Sequence, residues 1–221
     1  MISAALFIGS GAAILSSTQS CMALATTDIG MAIVKRILLR GIDRAANTYS
    51  NKQAFMQSDL VERALPKNLR DIYNTLQRVA PSLVTKQKEN VASAAAYTVG
   101  VAKPILVNTV NNLTADDVRR IVQNGKGGAT QVLMEKSSQQ LVQAIAPRVE
   151  QELNKYGLAK TINTALSGSN ILGGLLGGNR NEVSTSALSS LVSEQIVTGM
   201  YNIIRQTEEE SSNEIPTTIG N

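Results

Sequence analysis

The apolar positions of this chain recur three and four residues apart along most of its length, which is the spacing of one face of an α-helix. Strand-like alternation is weak, and Asn124-Gly125 fits a helix end better than a hairpin turn. The predicted long helices span residues 28–47, 83–111, 129–156 and 184–209. The pattern therefore predicts an all-α fold, a single-domain irregular bundle of about six to eight helices.

Local signals at Thr114 predict a further, short helix that ends near Gly125. The Thr114 hydroxyl can accept a hydrogen bond from the amide three residues on, while Asp116 and Asp117 lie in the positive first turn. Adjacent helical side chains diverge by about 100°, so these two carboxylates do not converge on one substrate atom. We interpret the acidic pair as a helix start and not as acid–base machinery.

Prolines predict where the helices are interrupted. Pro66 is expected to open a helix, Pro81 to interrupt it, and Pro104 and Pro147 to kink or break the helices that contain them. A polar connection is expected over residues 49–58.

Composition restricts the chemistry that the chain can perform. Hydrophobic residues make up 43% of the chain but aromatic residues only 3%, so the core must be built from Ala, Leu, Ile and Val. Histidine and tryptophan are absent and there is one cysteine. Nucleophile pairs based on histidine and the common zinc sites are thereby excluded. We predict no catalytic residue, no metal and no cofactor, and expect a protein that binds and is not an enzyme.

Charge is unevenly distributed along the chain. The net charge is +4, and because the four glutamates after Arg205 contribute −4, the remainder carries +8. We expect Glu208-Glu209-Glu210 to fray into solvent, since acids at a helix end oppose the dipole there. The densest basic set is Lys35, Arg36, Arg40 and Arg44. With few aromatic rings to stack on bases, this set predicts a solvated helix face and no nucleic-acid partner.

The first 25 residues resemble an export signal. They contain no charged side chain, and the apolar run from Ala4 to Leu15 is too short for a membrane span but suits a secretory signal. Two processing hypotheses remain open: cleavage after the small residues of Ala23-Leu24-Ala25, or lipidation of Cys21. The predicted organisation is a leader over 1–25, a helical domain over 26–210 and a disordered tail over 211–221. Export predicts a periplasmic or outer-membrane-associated protein, with membrane contact through a lipid anchor if Cys21 is acylated.

Two glycine-rich segments are candidate binding sites. Residues 167–181 carry apolar side chains that would be costly to expose, and they predict a partner-binding loop. The apolar residues of this loop are Ile171, Leu172, Leu175 and Leu176. Lys126, Gly127 and Gly128 precede a predicted helix whose amides could contact an anion, although the spacing of a phosphate-binding loop is absent.

Several segments match one bacterial family. They are Leu113–Val122, Ser137–Leu141, Lys155–Leu158, Gly41–Ala45 and Val197–Ile204. Together they resemble an envelope family known as domain of unknown function 4197, over about residues 29–210. The resemblance implies an exported, all-helical protein, often behind a signal or lipoprotein leader, with no assigned enzyme activity. Where the family has Gly-Asp-Asp-Ala-Ala-Thr, residues 125–130 read Gly-Lys-Gly-Gly-Ala-Thr, so no acidic site is expected there.

These observations predict a non-enzymatic cell-envelope protein that binds a protein partner. Its expected form is a cap, plug or accessory subunit of an outer-membrane or secretion assembly. The alternative is a periplasmic carrier of lipids or other small amphiphiles, held in a cavity between helices that is lined by Ala, Leu and Val.

Overall fold

The computed structural model describes residues 28–57, 81–155, 157 and 185–211. These residues form six helices and no strand, which confirms the predicted all-α fold. The helices are α1 (Asp28–Ser50), α2 (Lys52–Gln57), α3 (Pro81–Asn111), α4 (Ala115–Asn124), α5 (Gly128–Lys155) and α6 (Thr185–Glu210). Within these ranges, none of the helices combines the length and the apolar character that crossing a membrane requires.

The four long helices pack in the order α1, α3, α5, α6 around the bundle, with α6 returning to α1. The short α4 packs on α5, and α2 packs on α3 and α1. Helices α5 and α6 are antiparallel, because Thr130 contacts Glu208 near the start of α5 while Ser137 contacts Tyr201 one to two turns further along. Neighbouring long helices thus enclose one common core.

The core is aliphatic and rich in alanine, as the composition predicts. Its alanines lie mainly on α3, where small side chains allow close helix packing. The buried residues of that face are Ala92, Ala94, Ala95, Thr98 and Ala102. Ile29 lies on the apolar stripe of α1 by spacing, yet it is 67% exposed. Periodicity identifies the face of a helix, but not how far the neighbouring helices extend along it.

Helices α1 and α6 approach each other closely at Gly41. A Cβ atom at this position would lie 3.0 Å from Ile204 Cγ2 and 3.1 Å from Ile204 Cα. These distances are shorter than ordinary van der Waals contact. The backbone of α1 can therefore lie against Ile204 of α6 only because position 41 lacks a side chain.

The expected polar connection over residues 49–58 is wrong, because residues 52–57 form α2. Asn51 caps this helix, its Oδ1 accepting a hydrogen bond from the amide of Ala54 at 3.0 Å. Phe55 is completely buried, with its ring centroid 4.9 Å from that of Tyr49. A single buried aromatic residue therefore stabilises an element too short for a periodic pattern.

The prolines interrupt the helices less than the sequence suggests. Pro81 is the first residue of α3, whereas Pro104 and Pro147 lie inside α3 and α5 without breaking them. Both internal prolines are exposed, and so are Gly100 and Gln143 four residues earlier. The carbonyl groups that lose a partner to proline are therefore close to water, which reduces the cost. The helix expected to open at Pro66 lies outside the described residues.

Candidate functional site

The start of α4 forms the capping arrangement that the sequence predicts. Thr114 Oγ1 accepts from the Asp117 amide at 3.2 Å, and Asp117 Oδ2 accepts from the Thr114 amide at 2.9 Å. Lys136 of α5 also donates to Asp117 Oδ2, at 2.6 Å. Burial opposes ionisation of this carboxyl, but the hydrogen bonds from Lys136 and Thr114 outweigh it and lower the pKa of Asp117. Asp117 therefore ties α4 to α5, whereas Asp116 pairs with Arg119 within α4.

The joint between α4 and α5 requires glycine. Gly125 and Gly127 have φ values of +68° and +79°, in a region that side chains disfavour. A Cβ atom on Gly128 would lie 2.5 Å from the carbonyl oxygen of Ile121. The last turn of α4 and the first residue of α5 are therefore in direct backbone contact.

The amides at the start of α5 bind a carboxylate that belongs to the chain itself. Glu208 Oε1 accepts from the Ala129 amide at 2.9 Å, and Glu208 Oε2 accepts from the Thr130 amide at 2.8 Å and from Thr130 Oγ1 at 2.6 Å. Glu208 is 1% exposed. Gly127 precedes the helix and has no side chain with which to cap it, so Glu208 of α6 supplies the acceptor.

This arrangement bears on the predicted anion contact at Lys126, Gly127 and Gly128. Lys126 Nζ lies 3.5 Å from Glu209 Oε2, and the Gly128 amide donates to the carbonyl of Gly125 at 2.9 Å. An external anion would have to displace Glu208 from the first turn of α5. The contact with an external anion stays a prediction.

The expected fraying of Glu208-Glu209-Glu210 is wrong. Helix α6 continues to Glu210, whose Oε2 lies 2.5 Å from Arg44 Nη1. Glu209 faces Lys126, and Glu208 is buried. The sequence predicted repulsion from the dipole of α6, but the positive end of α5 and the cation of α1 outweigh it.

The basic set on α1 stabilises the ends of other helices. Lys35 Nζ donates to the carbonyl of Asn111, the last residue of α3, at 2.8 Å. Arg40 Nη1 donates to Ser211 Oγ at 3.1 Å, beside the end of α6. Cations are favoured at helix C-termini, where carbonyl groups lack partners. Arg40 and Arg44 are exposed and Lys35 is half-buried, so this face is open to solvent as predicted, and its cations also pair with helix ends.

An open groove lies on the outer surface between α5 and α6. It has a volume of about 620 Å³, and we call it the α5/α6 groove. Its apolar residues are Met134, Val142, Val197 and Tyr201. Its polar residues are Glu135, Ser138, Gln139, Gln143, Glu194 and Thr198. Met134 is 36% exposed, one of three large hydrophobic residues exposed in the described ranges. An apolar floor with a polar border is typical of a binding surface.

Tyr201 lines the groove, and its hydroxyl is a protonated hydrogen-bond donor. Ser137 Oγ lies 2.6 Å from the carbonyl of Leu133 and 2.7 Å from Tyr201 Oη. Because the Ser137 hydroxyl donates to that carbonyl, the Tyr201 hydroxyl donates to Ser137. Burial raises the pKa of Tyr201 to about 12, more than the Ser137 hydrogen bond lowers it. The phenol therefore stays protonated near neutral pH.

The bundle interior is closed where α1, α3 and α6 meet. A cavity beside Ile42, Val99, Leu106 and Met200 has a volume of about 10 Å³, room for no more than about one water molecule. In the described ranges, histidine, cysteine and acidic side chains nowhere form a group of three that could hold a metal ion.

The structure describes only some of the residues that the sequence singles out. Cys21 and the loop residues Ile171, Leu172, Leu175 and Leu176 lie outside the described residues. Sequence reasoning missed the α5/α6 groove. A partial signal was present on α5, where Met134 and Val142 widen the apolar stripe beyond the positions that the core needs.

The fold places this chain among all-α bundle proteins, with a groove on the outer face of two antiparallel helices. The family model described as protein of unknown function DUF4197 matches residues 23–215, and the chain therefore belongs to this family. No curated protein and no solved structure matches the chain.

Proposed function

We propose that this chain is a non-enzymatic protein of the bacterial cell envelope that binds a protein partner in the α5/α6 groove. The observation that carries the proposal is the groove itself, about 620 Å³ of open surface with exposed Met134 on an apolar floor. Methionine adapts its shape to a partner, and Tyr201, only 4% exposed, forms part of the floor beneath it.

The shape of the groove favours a polypeptide over a small amphiphile. Two antiparallel helices leave a long depression between their side-chain ridges, which is the shape that receives a third helix. A carrier would need an enclosed space for an acyl chain, and the cavity where α1, α3 and α6 meet, about 10 Å³, is too small to hold one. Protein binding is therefore the better-supported function, and lipid carriage is the alternative.

The proposed envelope location rests on the uncharged segment over residues 1–25 and on the chain's resemblance to a family of exported proteins. A leader of this kind would place the helical domain in the periplasm, free or anchored through Cys21. There it would act as a cap, plug or accessory subunit of an outer-membrane or secretion assembly. The apolar loop residues Ile171, Leu172, Leu175 and Leu176 would offer a second contact.

Site-specific photocrosslinking in the native cell tests this proposal. A photoreactive amino acid replaces Gln139, exposed in the groove, or Gln53, exposed on α2 as a matched control. We expect a discrete protein adduct in the envelope fraction from position 139 and none from position 53. Adding Met134→Glu should weaken the adduct about tenfold, because a carboxylate would be buried against the partner. Ile29→Glu makes the same change at an apolar residue that is more exposed than Met134 and lies on α1, and it should leave the adduct intact.

Failure has a clear form in this experiment. The same adduct from positions 139 and 53, or an adduct that Met134→Glu does not weaken, would show that the groove is not the binding surface. An adduct confined to the cytoplasmic fraction would contradict the envelope location.

A further inference from the structure

The groove matches a docked helix in length and in the pattern of its lining. Along α5 the lining residues lie four apart in two neighbouring rows, 134, 138, 142 and 135, 139, 143. Along α6 they form two shorter rows, 194, 198 and 197, 201. At 1.5 Å per residue the α5 side extends about 14 Å, roughly two and a half turns of helix. A partner helix with apolar side chains at i, i+4 and i+7 would fill this length.

The two acidic residues of the groove lie at opposite ends. Ser137 is opposite Tyr201 in the antiparallel pair, which places Glu135 towards the start of α5 and Glu194 towards the start of α6. Their axial separation is about 14 Å by the same helical rise.

Only one of these two carboxylates has a cation beside it. Glu135 forms an ion pair with Arg120 of α4 and accepts from Gln131 Nε2 at 3.2 Å. Glu194 is exposed, and no cation of the described ranges lies within ion-pair distance of its carboxylate. No lysine or arginine is among the residues that line the groove. The negative charge is therefore neutralised by a cation at the Glu135 end of the groove, whereas the Glu194 end stays anionic.

We infer that the partner presents a cationic amphipathic helix, with a lysine or arginine placed over the Glu194 end of the groove. This inference rests on the proposed function and names the chemistry of the partner. The unpaired carboxylate attracts the cation, and the compensated Arg120–Glu135 pair at the other end gives the docked helix a direction. The positive charge of the rest of the chain is screened beyond about 8 Å at physiological salt, so the local carboxylate dominates.

A displayed peptide library tests the inference with the full-length chain. Every library member carries leucine at i, i+4 and i+7, and the residues flanking this core are randomised among Lys, Glu and Gln. Selection is made on the wild-type chain, on Glu194→Lys and on Glu89→Lys, a matched exposed glutamate on α3. We expect the wild type and Glu89→Lys to select peptides with lysine at one flank. Glu194→Lys should instead select peptides with glutamate at that same flank.

Affinity measurements then give the size of the effect. The best lysine-flanked peptide should bind Glu194→Lys about fivefold more weakly than the wild type, since exposed ion pairs contribute up to about 1 kcal/mol. The same peptide with its flanking lysine changed to glutamate should recover that loss on Glu194→Lys. Circular dichroism of each variant confirms that the bundle is folded.

The outcomes separate the two proposals. Peptides that bind the groove with no preference at the flank, or with the same preference on Glu194→Lys, would overturn the cationic helix and leave the proposed function standing. Self-association of the chain that Met134→Glu abolishes would identify a second copy as the occupant and would also overturn this inference. The native crosslink at position 139, and not peptide binding, decides the proposed function.

Discussion

Glu208 brings a carboxylate into the bundle at the point where α5 offers unpaired amides. It accepts from the amides of Ala129 and Thr130, which lie 79 and 78 residues away in sequence. An N-terminal residue of the same helix usually provides this acceptor, but Gly127 has no side chain. The positive end of the α5 dipole further favours the carboxylate. One side chain thereby joins the last turn of α6 to the first turn of α5.

We expect Glu208→Ala to lower the free energy of unfolding by about 3 kcal/mol, because two buried amides lose a charged acceptor. Glu208→Gln should cost about 2 kcal/mol, since its amide group turns a donor towards one of those N–H groups. Equilibrium unfolding in urea, followed by circular dichroism, measures both values. Glu209→Ala is the control: its partly exposed pair with Lys126 predicts a change below about 0.5 kcal/mol. Equal effects of Glu208→Ala and Glu209→Ala would contradict the role of Glu208 as a cap.

At the scale of elements, α4 is held against α5 by a short joint rich in glycine. Three residues separate the helices, and Gly125 and Gly127 adopt positive φ angles there. The Asp117–Lys136 pair links the first turn of α4 to the third turn of α5. Gly128 allows the Ile121 carbonyl to lie directly against the start of α5. The joint fixes where α4 lies, and so where Arg120 meets Glu135 at the end of the groove.

A pair of glycine substitutions tests the joint. Gly128→Ala should destabilise the chain by about 2 kcal/mol or more, because its Cβ would lie 2.5 Å from a backbone oxygen that cannot move freely. Gly100→Ala introduces the same methyl group into α3, where nothing lies within 4 Å. It should stabilise the chain by about 0.5–1 kcal/mol, the helix propensity difference between alanine and glycine. Thermal and urea unfolding of both variants measure these opposite signs, and a stable Gly128→Ala would show that α4 is not packed as described.

At the scale of the whole molecule, stability depends on acids that pair across helices. The chain has no histidine, so no imidazole changes its charge between about pH 5 and pH 8. Among the buried carboxylates, Asp117 has a pKa lowered from its ordinary value of 3.8. A lowered native-state pKa contributes stability above the unfolded-state value, and that contribution is lost as the pH falls through the lowered value.

The comparison of wild type with Asp117→Asn makes this dependence measurable. We expect the difference in free energy of unfolding between them to be constant from about pH 8 to pH 5 and to shrink below about pH 4. Asp116→Asn is the matched control, since Asp116 is adjacent, mostly exposed and paired only within α4. Urea unfolding of each protein at several pH values measures these free-energy differences. A difference that is as large at pH 3 as at pH 7 would mean that the charge of Asp117 is not what stabilises the native state.

Much of the fold could be predicted from short-range sequence patterns. The four long helices follow from apolar residues three and four positions apart, and the capping box of α4 follows from Thr114 and Asp117. These signals act within about one helical turn, so a single sequence displays them. Helix α2 was missed because its stability comes from burying Phe55, which no periodic pattern accompanies.

The candidate site could not be predicted in the same way. The groove is a space between α5 and α6, whose facing residues lie 51 or more positions apart in sequence. The burial of Glu208 and the pairing of Arg44 with Glu210 likewise depend on partners far along the chain. Local sequence is sufficient for the helices and their caps, because these are stabilised by neighbours within a turn or two. Tertiary packing decides which charges are buried, which helix ends are capped and which surface stays open, because distant helices supply the other half of each contact.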